Sequence, residues 1–140
     1  MGTLRDRVEA ELENIERALG ELPTDRDCSA LSALELAGVA ALLHNFYSGI
    51  ENILKQVVAA EGVDLPSGDS WHRELVDVAL RRGLLQRSTA EALRPYLAFR
   101  HFFVHAYAVD LRPERVQPLV DGSSGVLHAL CADVQDSADN

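Results

Sequence analysis

Apolar residues recur at spacings of three and four along most of the chain, the signature of amphipathic helices. Leu4, Val8, Leu12, Ile15, Leu19 and Leu22 build one stripe, with Glu9, Glu11, Glu13 and Glu16 on the opposite face. This predicts a first helix over residues 4–22, ended by Pro23 and followed by a polar turn from Thr24 to Cys28. A long second helix is predicted over about residues 30–61, capped by Ser29 or Ser32. Leu36, Val39, Leu43, Phe46, Ile50, Ile53, Leu54 and Val57 give it an arc wide enough for the centre of a bundle. Tyr47, Ser48 and Glu51 fall within one turn of each other in its middle. They could bond a neighbouring helix or complete a site; for Glu51 a solvated face is preferred.

Pro66 and Gly68 mark residues 62–70 as a loop. A third helix then runs from Trp71 to about Arg82, with Asp69 or Ser70 as cap, Gly83 as stop and Trp71, Leu75, Val78 and Ala79 as its buried side. His72 sits in its first turn and reads as ordinary. Ser88-Thr89-Ala90-Glu91 has the form of a capping box, opening a fourth helix to about Tyr107 that Pro95 must kink or split. After a turn at residues 110–113, Pro113 is well placed to start a fifth helix, its first half weakened by Pro118, Gly122 and Gly125. Residues from Asp136 to Asn140 read as a frayed acidic tail. The expectation is a single all-α domain over residues 1–140, an antiparallel up-and-down bundle of four to five helices.

Composition changes this picture in one respect. At 47% apolar and 25% charged, the chain suits a helical bundle, and its net charge of −9 argues against a broad nucleic-acid-coating surface. The charge is uneven. Residues 65–120 hold eight basic side chains, all arginine, against six acidic ones, whereas residues 1–64 hold five against twelve. Arginine favours bidentate contacts to phosphate; equally, it can stand in for lysine in a biased composition. Cys28 and Cys131 lack metal-site spacing, nothing resembles a signal peptide, and no apolar run approaches the roughly eighteen residues of a membrane span. A reduced, cytoplasmic protein without membrane association is expected.

The positive block surrounds Arg100-His101-Phe102-Phe103-Val104-His105-Ala106-Tyr107. On an ideal helix Tyr96, Phe99, Phe103 and Ala106 form a core-facing stripe. Arg100 and Tyr107 share one flank, and His101, His105 and Ala108 another. Arg100 and His105 then point about 140° apart. Either the helix loosens near His105, or two copies meet across a seam containing Leu97, Arg100, Val104 and His105, as a two-fold dimer allows. An arginine and a histidine beside a phosphodiester suggest metal-free RNA cleavage. The imidazole moves a proton, the guanidinium binds the phosphoryl oxygens and the RNA 2′-hydroxyl is the nucleophile. Spacing alone makes this weak. His101 and His105, four apart, also have the spacing of a helical metal pair, but lack a third ligand, so no metal or other cofactor is expected. No phosphate loop or nucleophile elbow is present.

Arg100-x4-His105-x-Tyr107 resembles the Arg-x4-His-x-Tyr motif of HEPN-domain toxins of the HepT type. His44 to Leu54, Ser70-Trp71-His72-Arg73-Glu74-Leu75 and Phe99-Arg100-His101 are similar to that family's second helix, the start of its third and the lead into its motif. The resemblance covers about residues 30–120. It implies an all-α homodimer with the motifs at the dimer cleft, acting as a metal-independent endoribonuclease toxin on RNA, with tRNA and mRNA as candidates. It makes Arg100 and His105 the catalytic pair and His101 a supporting residue. It makes Tyr107 the acceptor of AMP from a partner nucleotidyltransferase antitoxin of the MntA type, which adds bulk and negative charge beside the phosphate pocket. The alternative is a non-catalytic helical dimer that binds the nucleotidyltransferase or a nucleotide, and third comes a helical bundle with neither role.

Overall fold

The structure, a computed structural model, describes residues 2–106 and 111–138; the side chains of residues 105, 106 and 136–138 lie outside the description. It is all-α, with five helices among the described residues: α1 (Leu4–Gly20), α2 (Ala33–Ala60), α3 (Trp71–Arg81), α4 (Arg87–Ala106) and α5 (Pro113–Ala138). Several helix ends have a local cause. Thr3 with Asp6, and Ser32 with Glu35, form complete capping boxes on α1 and α2, so Ser32 rather than Ser29 is the cap. The expected polar turn before α2 contains a single 3-10 turn, Cys28–Ala30, capped by Asp27. Ser70 precedes α3 without capping its backbone, and its hydroxyl donates to the Glu74 carboxylate at 3.2 Å. Gly83 stops α3 at φ +75°, a conformation that suits glycine.

Three boundaries differ from expectation. α1 stops at Gly20, two residues short of Leu22. α4 begins at Arg87, so Ser88 is already inside the helix and its capping box is not used. The Gln86 carbonyl takes the first helical bond, from Ala90 N–H at 3.0 Å, while the Gln86 N–H donates to Asp133 of α5 at 3.0 Å. Tertiary contact thus replaces the local cap. Pro95 is accommodated within α4 without splitting it, and α5 continues through Pro118, Gly122 and Gly125. α5 also extends through residues 136–138 of the expected tail; residues 139 and 140 lie outside the described residues.

α2 is the central helix. Every apolar position predicted for its arc is buried, and buried residues of all five helices join it in one core cluster. Full burial of such side chains contributes about 1.5–3 kcal/mol each. α1 runs antiparallel to α2: Arg7 meets Gln56 at 2.8 Å, Glu11 meets Asn52 at 3.4 Å, and Ile15 packs on Gly49. α4 and α5 are also antiparallel, tied at Gln86–Asp133 and Tyr96–Leu119. α3 lies along the second half of α2 in the same sense, with His72 on Glu51 at one end and Arg82 on Glu61 at the other. The segment between Glu61 and Ser70 carries the chain back to permit this.

A side chain at position 49 would run into Ile15 Cγ1, whereas a Cβ at Gly38, also in α2, meets nothing within 4 Å. The same substitution should therefore have opposite signs. Gly49→Ala lowers stability by about 1–3 kcal/mol through overpacking, and Gly38→Ala raises it by about 1 kcal/mol through helix propensity. Urea unfolding of both variants beside the parent checks this, and a stabilised Gly49→Ala would refute the close α1–α2 contact.

Candidate active site

The roll of α4 about its axis is set by aromatic residues. Tyr96 and Phe99 are buried and Phe103 is partly buried, as the predicted stripe requires. Tyr96 packs on Phe46 of α2 with ring centroids 5.6 Å apart, and Phe103 packs on His44 at 5.5 Å. The Tyr96 hydroxyl donates to the Leu119 carbonyl at 2.6 Å. It sits 3.2 Å from where a Cβ on Gly122 would be, so the glycine that weakens α5 by propensity admits this anchor. Burial, then the nearby Asp121 charge, pushes the Tyr96 phenol up to about 12.

With α4 held this way, Arg100 turns toward α2 and α3 and meets Glu51. The expectation of a solvated face for Glu51 is overturned, since it is only 3% exposed. Its Oε1 lies 3.5 Å from Arg100 Nε and its Oε2 lies 2.7 Å from His72 Nδ1. His72, read as ordinary from the sequence, is thus the second partner of a buried carboxylate. Its ring also rests against Trp71, centroids 3.5 Å apart, and the Lys55 ammonium sits 4.2 Å over that indole. Glu51 carried a faint signal, since it interrupts the widest apolar arc in the chain, between Ile50 and Ile53-Leu54, whereas His72 carried none. The two segments that contain them, His44–Leu54 and Ser70–Leu75, meet at this ion pair.

Among the described residues, two buried side-chain polar atoms lack a hydrogen-bond partner. Arg100 Nε is close enough to Glu51 for charge attraction without hydrogen-bond geometry, and the Tyr47 hydroxyl has no partner among the described residues. Burial, followed by the Glu51 charge, pushes the Tyr47 phenol well above the ordinary tyrosine range, against a downward pull from Arg100 and Arg94. Of the three residues within one turn, Tyr47 and Glu51 therefore enter the site region, whereas Ser48 lies on the α1 side of α2 beside Asn14 and Asn45.

A cavity of about 450 Å³ opens between α3 and α4. Its lining includes His72 and Arg73 from α3, Arg94, Arg100 and His101 from α4, and Asp69 before α3. Arg94 also pairs with Asp77 at 3.6 Å. The structure so brings Arg100 and His101 to one cavity and adds His72, with Glu51 buried behind Arg100 and His72. For His105 the backbone closes the last turn of α4 and the side chain lies outside the description; Tyr107 lies outside the described residues. Val104, on the expected seam, is 46% exposed. Among the described residues no group of three His, Cys, Asp or Glu side chains could hold a metal ion, and no helix is long and apolar enough to cross a membrane.

Compared with known proteins, the chain matches one family model, described as HepT-like protein, over residues 38–140. No curated protein and no solved structure matches it.

A phenol whose pKa is higher folded than unfolded holds its proton more tightly in the native state. Its contribution is complete below the ordinary value of 10.0 and is lost as pH rises from there through the folded value. Urea midpoints should therefore fall between pH 9 and pH 11, on the order of the onset of phenol ionisation. Tyr47→Phe removes an unsatisfied buried hydroxyl, so it should match or exceed the parent by about 1 kcal/mol at neutral pH and lose less at alkaline pH. A Tyr47→Phe protein as alkali-sensitive as the parent, and less stable at pH 7, would show that the hydroxyl is well satisfied.

Proposed function

The chain belongs to the HepT-like family, which places it in a toxin–antitoxin context, and on that premise we propose that it is a metal-independent endoribonuclease toxin. The observation that carries the proposal is Arg100, held on a buried carboxylate at the wall of a cavity lined by arginine and histidine. Glu51 meets the guanidinium at its inner nitrogen, Nε; the two Nη nitrogens lie beyond it, toward the end of the side chain. Those paired donors suit the oxygens of a phosphodiester, and they suit the charge that builds there as the 2′-hydroxyl attacks. His105, one helical turn farther along α4, supplies the imidazole that accepts the 2′-hydroxyl proton. His101, on the same cavity wall, supports substrate binding.

A second copy would complete the site. The exposed Val104 favours a seam along this face of α4, where each chain brings its own Arg100 and His105 to a shared cleft. Tyr107 follows directly, and AMP added to it by a nucleotidyltransferase antitoxin would place bulk and negative charge in the path of RNA. The protein acts in the cytoplasm, where its RNA substrates are.

Incubating the purified protein with total RNA and with tRNA in EDTA tests the activity, beside Arg100→Ala and His105→Ala. Each variant should lose at least about 100-fold in cleavage rate. Equal survival of RNA with all three proteins would leave the non-catalytic dimer as the better account. Intact mass after co-expression with a neighbouring nucleotidyltransferase tests control: additions of AMP mass should appear on the parent and vanish in Tyr107→Phe.

A further inference from the structure

Cleavage of RNA by its own 2′-hydroxyl moves two protons. One leaves the 2′-oxygen as it bonds to phosphorus; one must reach the 5′-oxygen as the P–O5′ bond breaks. The Arg-x4-His motif offers one imidazole per chain for this work, and a guanidinium stays protonated throughout. We propose that His72, oriented by Glu51, is the second proton-transfer group of the site, the acid that protonates the 5′-oxygen. The proposal rests on the ribonuclease reading above.

Three observations on separate elements converge on His72. Its Nδ1 lies 2.7 Å from the Glu51 carboxylate, which accepts, so Nδ1 carries hydrogen and Nε2 is the nitrogen that exchanges a proton. Its ring is held against Trp71, which limits its rotation. The other oxygen of the same carboxylate stands 3.5 Å from Arg100, and His72 and Arg100 line the same cavity. A phosphate bound by Arg100 is therefore beside an imidazole whose tautomer and orientation are fixed. A carboxylate holding a histidine in this way is a recurrent arrangement for proton transfer. Glu51 itself is buried at the back of the pair and acts as a positioning residue for both.

The step balances without a further reactant. His105 takes the 2′-hydroxyl proton as the 2′-O–P bond forms, and P–O5′ breaks with its electron pair on oxygen. His72 Nε2–H then delivers its proton to that oxygen. The products are a 2′,3′-cyclic phosphate and a 5′-hydroxyl, and the two imidazoles exchange protons with water before the next turnover.

A structural role for His72, as a simple partner for a buried charge, makes a different prediction from an acid role. The test uses an RNA oligomer that the full-length protein cleaves at a mapped bond, and the same oligomer with sulfur in place of the bridging 5′-oxygen. A thiolate leaves without protonation. His72→Gln should cut the oxygen substrate at least about 100-fold more slowly, and cut the sulfur substrate within about tenfold of the parent. His105→Ala should lose both. Glu51→Gln, which leaves His72 in place, should show the same substrate dependence in weaker form, and Glu51→Asp should restore part of the lost rate. Circular dichroism and urea midpoints confirm that each variant is folded. Full activity of His72→Gln on the oxygen substrate, or equal losses on both substrates, would overturn the proposal while leaving the ribonuclease reading intact. Failure of the parent to cleave either substrate would overturn both.

Discussion

A carboxylate sealed inside a helical bundle must be matched by donors, because an uncompensated buried charge costs several kcal/mol, on the order of the whole margin of stability. Glu51 is such a carboxylate, and its two oxygens are divided between His72 and Arg100. Three helices are thereby referenced to one residue. α3 is short and is joined to α2 by a long loop, so its apolar side, Leu75, Val76 and Ala79, fixes how it packs without fixing how far it slides. The pairing of His72 with Glu51 supplies that register. The same carboxylate then sets where the Arg100 guanidinium rests, so the fold and the candidate site share a single constraint.

Close approach elsewhere keeps this constraint in place. Gly49 lets Ile15 press α1 onto one side of α2, two residues from Glu51. Gly122 admits the Tyr96 hydroxyl to the backbone of α5, which fixes α4 against rotation one turn before Arg100. Both glycines cost helix propensity and return packing. That exchange explains why α5 runs unbroken through residues whose local preferences oppose a helix: α4 and α2 hold it from outside.

The helices were legible in the sequence because their signal is repeated. Six stripe positions over residues 4–22 and eight in α2 agree with one another, so one exception does little harm. The capping box at Ser88 was misleading because it is a local pattern, and α4 starts where Gln86 can reach Asp133, a contact between distant segments. Arg100 and His101 were legible as candidates, and the structure places both on one cavity. Glu51 and His72 were not. The solvated face of a helix and a buried ion pair draw on the same residue types, and only the neighbouring helix tells them apart. The aromatic stripe of α4 contained the missing information: once Tyr96 and Phe99 face the core, Arg100 must point along the flank where α2 and α3 meet.

The charge around the cavity is closer to balance than a count of arginines suggests. Arg100 is offset by Glu51, Arg94 pairs with Asp77, and Asp69 shares the lining with Arg73. Two of the three lining guanidinium groups therefore have a carboxylate partner, within a chain whose net charge is −9. The imidazoles of His72 and His101 line the same space. An acidic protein with such a site would not coat itself with RNA. On the proposed reading it would hold an anionic ligand where Arg100 offers its paired donors beside the imidazoles of His72 and His101, which confines binding to the place where proton transfer can also occur.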